Sequence, residues 1–218
     1  MKITFNDVRS NTAINAYIEK ADQSLIALGY TEHSFSHVLK VADTASKILL
    51  ELGYSQRDAE LARIAGYLHD IGNVVNRIEH AQSGAVMAFR LLDNMGADPE
   101  DIATIITAIG NHDESTAFPV NPVAAALILA DKTDVRRSRV RKQPKTQFDI
   151  HDRVNYSVSS SKVTVTDQSI ILDLTIETDM CSVFEYFEIF MERMLLCRKA
   201  AEKLGVGFNL VINGQQMM

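Results

Sequence analysis

Helix boundaries punctuate the first 133 residues so regularly that this part of the chain can fold only as a succession of packed helices. One segment runs from about Asn11 to Leu28, with Ile14, Tyr17, Ile18, Ala21 and Leu25 on one stripe and Gly29 placed to end it. A second runs from Ser34 to Leu52, with Val38, Val41, Ala42, Ala45, Ile48, Leu49 and Leu52 apolar and Gly53 as its stop. Ser55-Gln-Arg-Asp58 is a capping-box variant that opens a third, ending near Leu68. A fourth spans Ala81 to Met95 and stops at Gly96. Asp98-Pro99 and Asn121-Pro122 each place a side-chain cap before a proline at the first helical position. They open a fifth segment carrying Ile102, Ile105, Ile106 and Ile109, and a sixth reaching Asp131.

The pattern changes after residue 149. Tyr156 and Val158, Val163 and Val165, then Leu172, Leu174 and Ile176 alternate with polar residues, and Asp167-Gln168 stands where a tight turn belongs. Ser182-Val-Phe-Glu185 is a capping box opening a long helix to Leu204, stopped by Gly205, and Phe208 to Ile212 reads as one more strand. The expected architecture is mainly α: a helical domain over residues 1–148 and a small α+β appendage over 149–218. Only 10 Gly and 4 Pro in 218 residues fit long helices, and no internal repeat is visible. The longest apolar run, Val123 to Ala130, is far short of the ~20 residues that span a bilayer. Residues Lys2 to Ser10 carry no apolar signal core, and two cysteines, Cys181 and Cys197, build no disulfide framework. A cytoplasmic protein without membrane contact is therefore expected. The net charge of −6 argues against general nucleic-acid binding, and a homo-oligomer is left open.

Ionisable residues on apolar stripes carry the chemistry. His37 shares its face with Val41, Ala45, Ile48 and Leu52, and His33 sits one turn earlier. His69 closes the stripe of Ala62 and Ala65, and Asp131 lies on that of Ala124, Leu127 and Ile128. A carboxylate on an apolar face is costly unless paired or bound to a cation. Inward histidines and carboxylates on separate helices are explained together by a metal, with Mn, Fe, Co, Ni or Zn suited to imidazole and carboxylate ligands. The His-Asp dipeptide alone decides little, because it occurs three times; His151-Asp152, just before the strands, is assigned no role.

The ordered set His37, then His69-Asp70 within Tyr67-Leu-His-Asp-Ile-Gly72, then Asp131 within Ala130-Asp-Lys-Thr-Asp134 resembles the H…HD…D signature of the HD-domain superfamily of metal-dependent phosphohydrolases. The resemblance covers roughly residues 30–140 and implies an all-helical bundle in which these four residues bind a metal. His80 and His112 extend the pattern toward the dinuclear branches, where Asp70 would bridge two metals and these histidines would hold the second. Asn73 after His-Asp-Ile-Gly, and the stretch Asn111 to Pro119, depart from the cyclic-di-GMP phosphodiesterase branch. The alarmone hydrolases lack the two middle histidines as ligands, and the diadenosine tetraphosphatase branch lacks the appendage.

The resemblance implies one or two divalent transition metals and hydrolysis of a phosphoester or phosphoanhydride of a nucleotide or other small phosphorylated substrate, by a hydroxide held at the metals. In that reading Asp70, Lys132 and Asp113 are the catalytic candidates: Asp70 bridges, Lys132 contacts a phosphate oxygen, and Asp113 orients or protonates a leaving group. Substrate contacts are expected from His33, Lys132, Arg136 and Arg137. The last two open a run of six cations in ten residues, Arg136 to Lys145, which is otherwise a solvated linker. Two other classes remain: a di-iron oxygenase built on the same ligands, like myo-inositol oxygenase, and a non-catalytic binding protein with a metal.

Overall fold

The computed structural model describes residues 1–141, 148 and 150–218. The helices are α1 (Phe5–Ser10), α2 (Thr12–Ala27), α3 (Phe35–Glu51), α4 (Gln56–Leu68), α5 (His80–Asn94), α6 (Pro99–Gly110), α7 (Pro122–Lys132), α8 (Ile150–Ser157) and α9 (Val183–Lys203). The strands are β1 (Val158–Val165), β2 (Ser169–Ile176), β3 (Gly207–Ile212) and β4 (Gln215–Gln216). Single 3₁₀ turns occupy Ile71–Val74 and Arg137–Arg139.

The caps expected at Ser55, Asp98, Asn121 and Ser182 are made, and Asn11 and Ser34 cap their helices as well. Asn11, Ser34, Ser55, Asp98, Asn121 and Ser182 each accept a backbone N–H in the first turn of the helix that follows. Helix α7 is the axis of the bundle: α3, α4, α6 and α9 all pack on it. Its residues Val123 to Ala130 are all buried, as befits a helix apolar on every side. The eight-residue apolar run is thus the centre of the core.

The described strands form one sheet in the order β1-β2-β3-β4, antiparallel except for the parallel β2/β3 pair, which α9 connects. Helix α9 packs on β2 and β3 and also on α7, burying Tyr186, Phe190, Met194 and Cys197. One hydrophobic cluster runs from Ile3 through the bundle to Ile212. The chain is mainly α, a helical bundle with a small C-terminal α+β part.

Three elements differ from the sequence reading. Helix α1 is a single capped turn and a half, held by Phe5 and Val8, too short to show a period. The alternation reads Tyr156 as strand, whereas it lies in helix α8. Its buried residues are Asp152, Val154, Asn155 and Ser157, so its inward face is largely polar and carries no apolar stripe. The two-residue β4 gives no alternation to read. Among the described residues no helix is long and apolar enough to cross a membrane.

Candidate metal centre

Close backbone packing brings the inward ionisable residues together. A Cβ on Gly66 would stand 2.7 Å from Ala42 Cα, so only glycine lets α4 lie this near α3. His69, at the end of α4, then meets His37 in the first turn of α3 with ring centroids 5.2 Å apart. A Cβ on Gly72 would stand 2.0 Å from the His80 carbonyl and 2.5 Å from the Gly84 nitrogen, so the turn after Asp70 rests directly on the start of α5. Glu79, just before His80, takes a left-handed backbone with φ of 56°, a strained conformation for a non-glycine residue. His112 follows α6, and Asp131 stands in the last turn of α7.

The donors converge in two groups that share Asp70. His37 Nε2 lies 3.6 Å from Asp70 Oδ2 and 3.4 Å from Asp131 Oδ1. His69 Nε2 lies 3.2 Å and 3.7 Å from the same two oxygens. On the other side, Asp70 Oδ1 is 3.5 Å from His80 Nε2, which is 3.2 Å from His112 Nε2. All four histidines are buried, as is Asp70.

Their tautomers follow from the opposite nitrogen. The Nδ1 atoms of His69, His80 and His112 contact the carbonyls of Gly66, Arg77 and Ile109 at 2.8, 3.1 and 2.6 Å, and His37 Nδ1 contacts Asp134 Oδ2 at 2.8 Å. These oxygens only accept, so each Nδ1 carries the proton and, in the neutral ring, each Nε2 presents a lone pair to the cluster. Burial pushes the His112 imidazole down to about 3, with His69 and Lys132 adding to the effect, so the ring stays neutral. Burial alone would raise the Asp70 carboxyl, but His69 and the neighbouring imidazoles hold it well below the carboxylate range.

Within the cluster, three buried side-chain atoms have no hydrogen-bond partner among the described residues: His37 Nε2, His69 Nε2 and Asp70 Oδ2. Each such atom costs about 1–3 kcal/mol left unmade. All three face one point, and a cation placed there would satisfy them together. Three overlapping triads could hold a metal ion: His37, His69 and Asp70; His69, His112 and Asp131; and Asp70, His80 and His112. The donors fit a divalent transition metal.

The cluster opens on a cavity of about 430 Å³. Lys132, buried with Nζ 2.7 Å from Asp131 Oδ2, lines it, as does His33, whose ring stands edge-on to His37. Asp113 lies beside the cluster, its Oδ1 3.9 Å from His80 Nε2, and accepts a hydrogen bond from Ser115.

Arg136 and Arg137 are not on the cavity wall. Arg136 is held by Glu32 and Asp134, and Arg137 by the Tyr156 carbonyl and Glu177. Lys142 and Lys145 of the same run lie outside the described residues. Besides Lys132, the described cations that line the cavity are Arg77, Arg139 and Arg193. Arg77 precedes His80 by three residues and Arg139 belongs to the cationic run, so both had a signal; Arg193, in the middle of α9, had none. His151, Asp152 and Asn155 of α8 also line the cavity, so the third His-Asp pair is part of the wall.

A helical bundle whose facing helices aim histidines and aspartates at one point has the form of an HD domain. Residues 34–136 match the HD domain family model, so this part of the chain carries an HD domain. It is 24% identical over 216 residues to an uncharacterized protein of Methanocaldococcus jannaschii, covering 88% of this chain and 83% of that one. It is 27% identical over 165 residues to Ribonuclease Y of Desulforudis audaxviator, with 71% of this chain but 31% of the ribonuclease aligned. The Ribonuclease Y of Thermus thermophilus is 33% identical over 115 residues, 50% of this chain and 18% of that protein. The chain therefore spans less than a third of either ribonuclease. Among solved structures it is similar to a predicted HD superfamily hydrolase from an uncultured Thermotogales bacterium, at 25% identity and a TM-score of 0.47, over 66% of this chain and 81% of that one.

Proposed function

We propose that this chain is an HD-type metal-dependent phosphohydrolase acting on a small phosphorylated substrate. The observation that carries the reading is the convergence of the His37, His69 and His80 Nε2 atoms on Asp70, whose Oδ2 faces the first two and whose Oδ1 faces His80, with His112 Nε2 beside His80. His37, His69, Asp70 and Asp131 would hold one metal; Asp70, His80 and His112 would hold a second. When bound, divalent metals supply Lewis acidity that polarises a phosphate oxygen and acidifies a water.

The rest of the work falls to the chain's own side chains. Arg77 and Lys132 on the cavity wall bind and orient phosphate oxygens. Arg77 is itself tied to the cluster, because its Nη1 donates to Asn73 Oδ1 and the Asn73 amide donates to Asp70 Oδ1. Burial would raise the Asp113 carboxyl, but the Ser115 hydroxyl and His80 hold it below its ordinary value. An ionised Asp113 suits orienting water or substrate better than giving up a proton. Helices α8 and α9 contribute His151, Asn155 and Phe190 to the wall and help exclude bulk water.

The name of the ribonuclease relatives supports a second substrate class, RNA phosphodiesters. The cavity size favours a small molecule, because about 430 Å³ lies within the range of ordinary small-ligand pockets. A panel of phosphomonoesters, cyclic and linear phosphodiesters and an oligoribonucleotide, assayed with Mn, Co, Ni and Fe, tests both. Metal-dependent release of phosphate or a phosphomonoester, abolished by chelator, is expected. Oxygen consumption by iron-loaded protein with no phosphate chemistry would instead support the oxygenase reading.

Arg77→Gln should raise KM for a phosphorylated substrate about tenfold with a smaller change in kcat, the loss of one charge-assisted contact made in ground and transition states alike. Steady-state kinetics at low ionic strength measures this. Unchanged KM would remove Arg77 from the substrate contacts.

A further inference from the structure

Asp134 offers no atom to the metal cluster, yet the fold encloses it with unusual care. Its side chain is 1% exposed. His37 Nδ1 lies 2.8 Å from Oδ2, while Lys40 Nζ and Arg136 Nε lie 2.8 and 2.9 Å from Oδ1. Arg139 Nη1 donates to the Asp134 carbonyl at 3.0 Å and sits 3.9 Å from Oδ2. A carboxylate buried this deeply survives as a charge only when paired, and here three cations surround it.

The other three imidazoles of the cluster rest their Nδ1–H on neutral backbone carbonyls; His37 alone rests on a carboxylate. A charged acceptor makes the opposite nitrogen a better electron donor and fixes the ring's orientation. We propose that Asp134 is a positioning residue that locks His37 in its Nδ1–H tautomer, and that Lys40, Arg136 and Arg139 form the cationic cage that keeps Asp134 charged. The inference rests on the metal reading above. It also gives the start of the cationic run a role in building the centre rather than in touching substrate.

Asn at position 134 distinguishes this from simple packing. An amide presents either an oxygen or an NH₂ to a neighbour. With Lys40 and Arg136 drawing the oxygen, the NH₂ would face His37 Nδ1 and force the ring proton onto Nε2, where the metal must bind. Loss of catalysis through a wrong tautomer is the known consequence of the same change in a carboxylate–histidine pair.

Cobalt titration of the full chain under anaerobic conditions, followed by visible absorption, measures affinity. Asp134→Asn should weaken the site containing His37 by about 10- to 100-fold with helical circular dichroism unchanged. In metal-free protein, long-range nitrogen–proton correlation should show His37 protonated on Nδ1 in wild type and on Nε2 in the variant. A folded variant with wild-type cobalt affinity, or with the Nδ1–H tautomer retained, overturns the proposal. If Asp134→Asn fails to fold, Lys40→Met, at a side chain 41% exposed, should still weaken cobalt severalfold, and unchanged affinity there overturns it equally. Wild-type protein that takes up no cobalt would contradict the metal reading itself.

Discussion

Asp70→Asn is expected to yield a protein that folds as wild type and hydrolyses nothing measurable. Asn is nearly the same size, and Gly66, Gly72 and the apolar stripes that assemble the cluster are untouched. The chemistry is not preserved. Asp70 Oδ2 faces His37 and His69 while Oδ1 faces His80, so the substitution takes an anionic donor from both groups at once. A neutral amide bridges cations poorly, and the charge that offsets them is gone. A loss of at least about 4 kcal/mol of transition-state stabilisation is expected, about a thousandfold in kcat. Asp173, exposed on β2, is the matched control and should tolerate Asn with full activity. Asp152 would be a poor control, because it is buried on the cavity wall. Turnover and circular dichroism on both variants decide the point; an active, folded Asp70→Asn enzyme would place the chemistry elsewhere.

Metal should also govern stability. Without a cation the cluster holds inward atoms with no hydrogen-bond partner, so the native state carries a cost that binding removes. A ligand that binds only the native state stabilises it by about 4 kcal/mol at a thousand times its Kd. For a chain of this size that raises Tm by roughly 8–16 °C. The increment should vanish with excess chelator and shrink in His37→Ala. Differential scanning calorimetry with and without Mn or Co measures it, and a Tm indifferent to metal would mean the cluster does not bind one in the native state.

The bundle was readable because its signals are local and mutually consistent. The helices expected before residue 133 bury apolar faces, and Ser55, Asp98 and Asn121 cap three of them as their sequence contexts imply. Part of the cluster was legible for a related reason. Histidine or aspartate on an apolar stripe breaks the rule that places polar groups outside, which marks His37, His69 and Asp131, whereas Asp70, His80 and His112 are expected only from the resemblance to the ordered HD signature. The structure does bring all six together.

What was not legible depends on contacts distant in sequence. Helix α8 turns a polar face inward, toward a cavity no local pattern describes. Arg193 reaches that cavity from α9, where its spacing marks only a side chain beside Phe190. Arg136 and Arg137 were placed by charge alone. The sequence does not reveal that Glu32, more than 100 residues earlier, and Glu177 would claim them. Asp134 sat three residues after an expected ligand, but its pairing with His37 spans 97 residues.

We propose that the buried His/Asp cluster holds two metals with Asp70 shared. Metal analysis of protein reconstituted with cobalt or manganese and freed of excess ion tests it most directly. Two metals per chain are expected in wild type and one in His80→Ala, because that substitution empties the group formed with His112 and leaves His37, His69, Asp70 and Asp131 intact. Two metals retained in His80→Ala, or none in wild type, would contradict it.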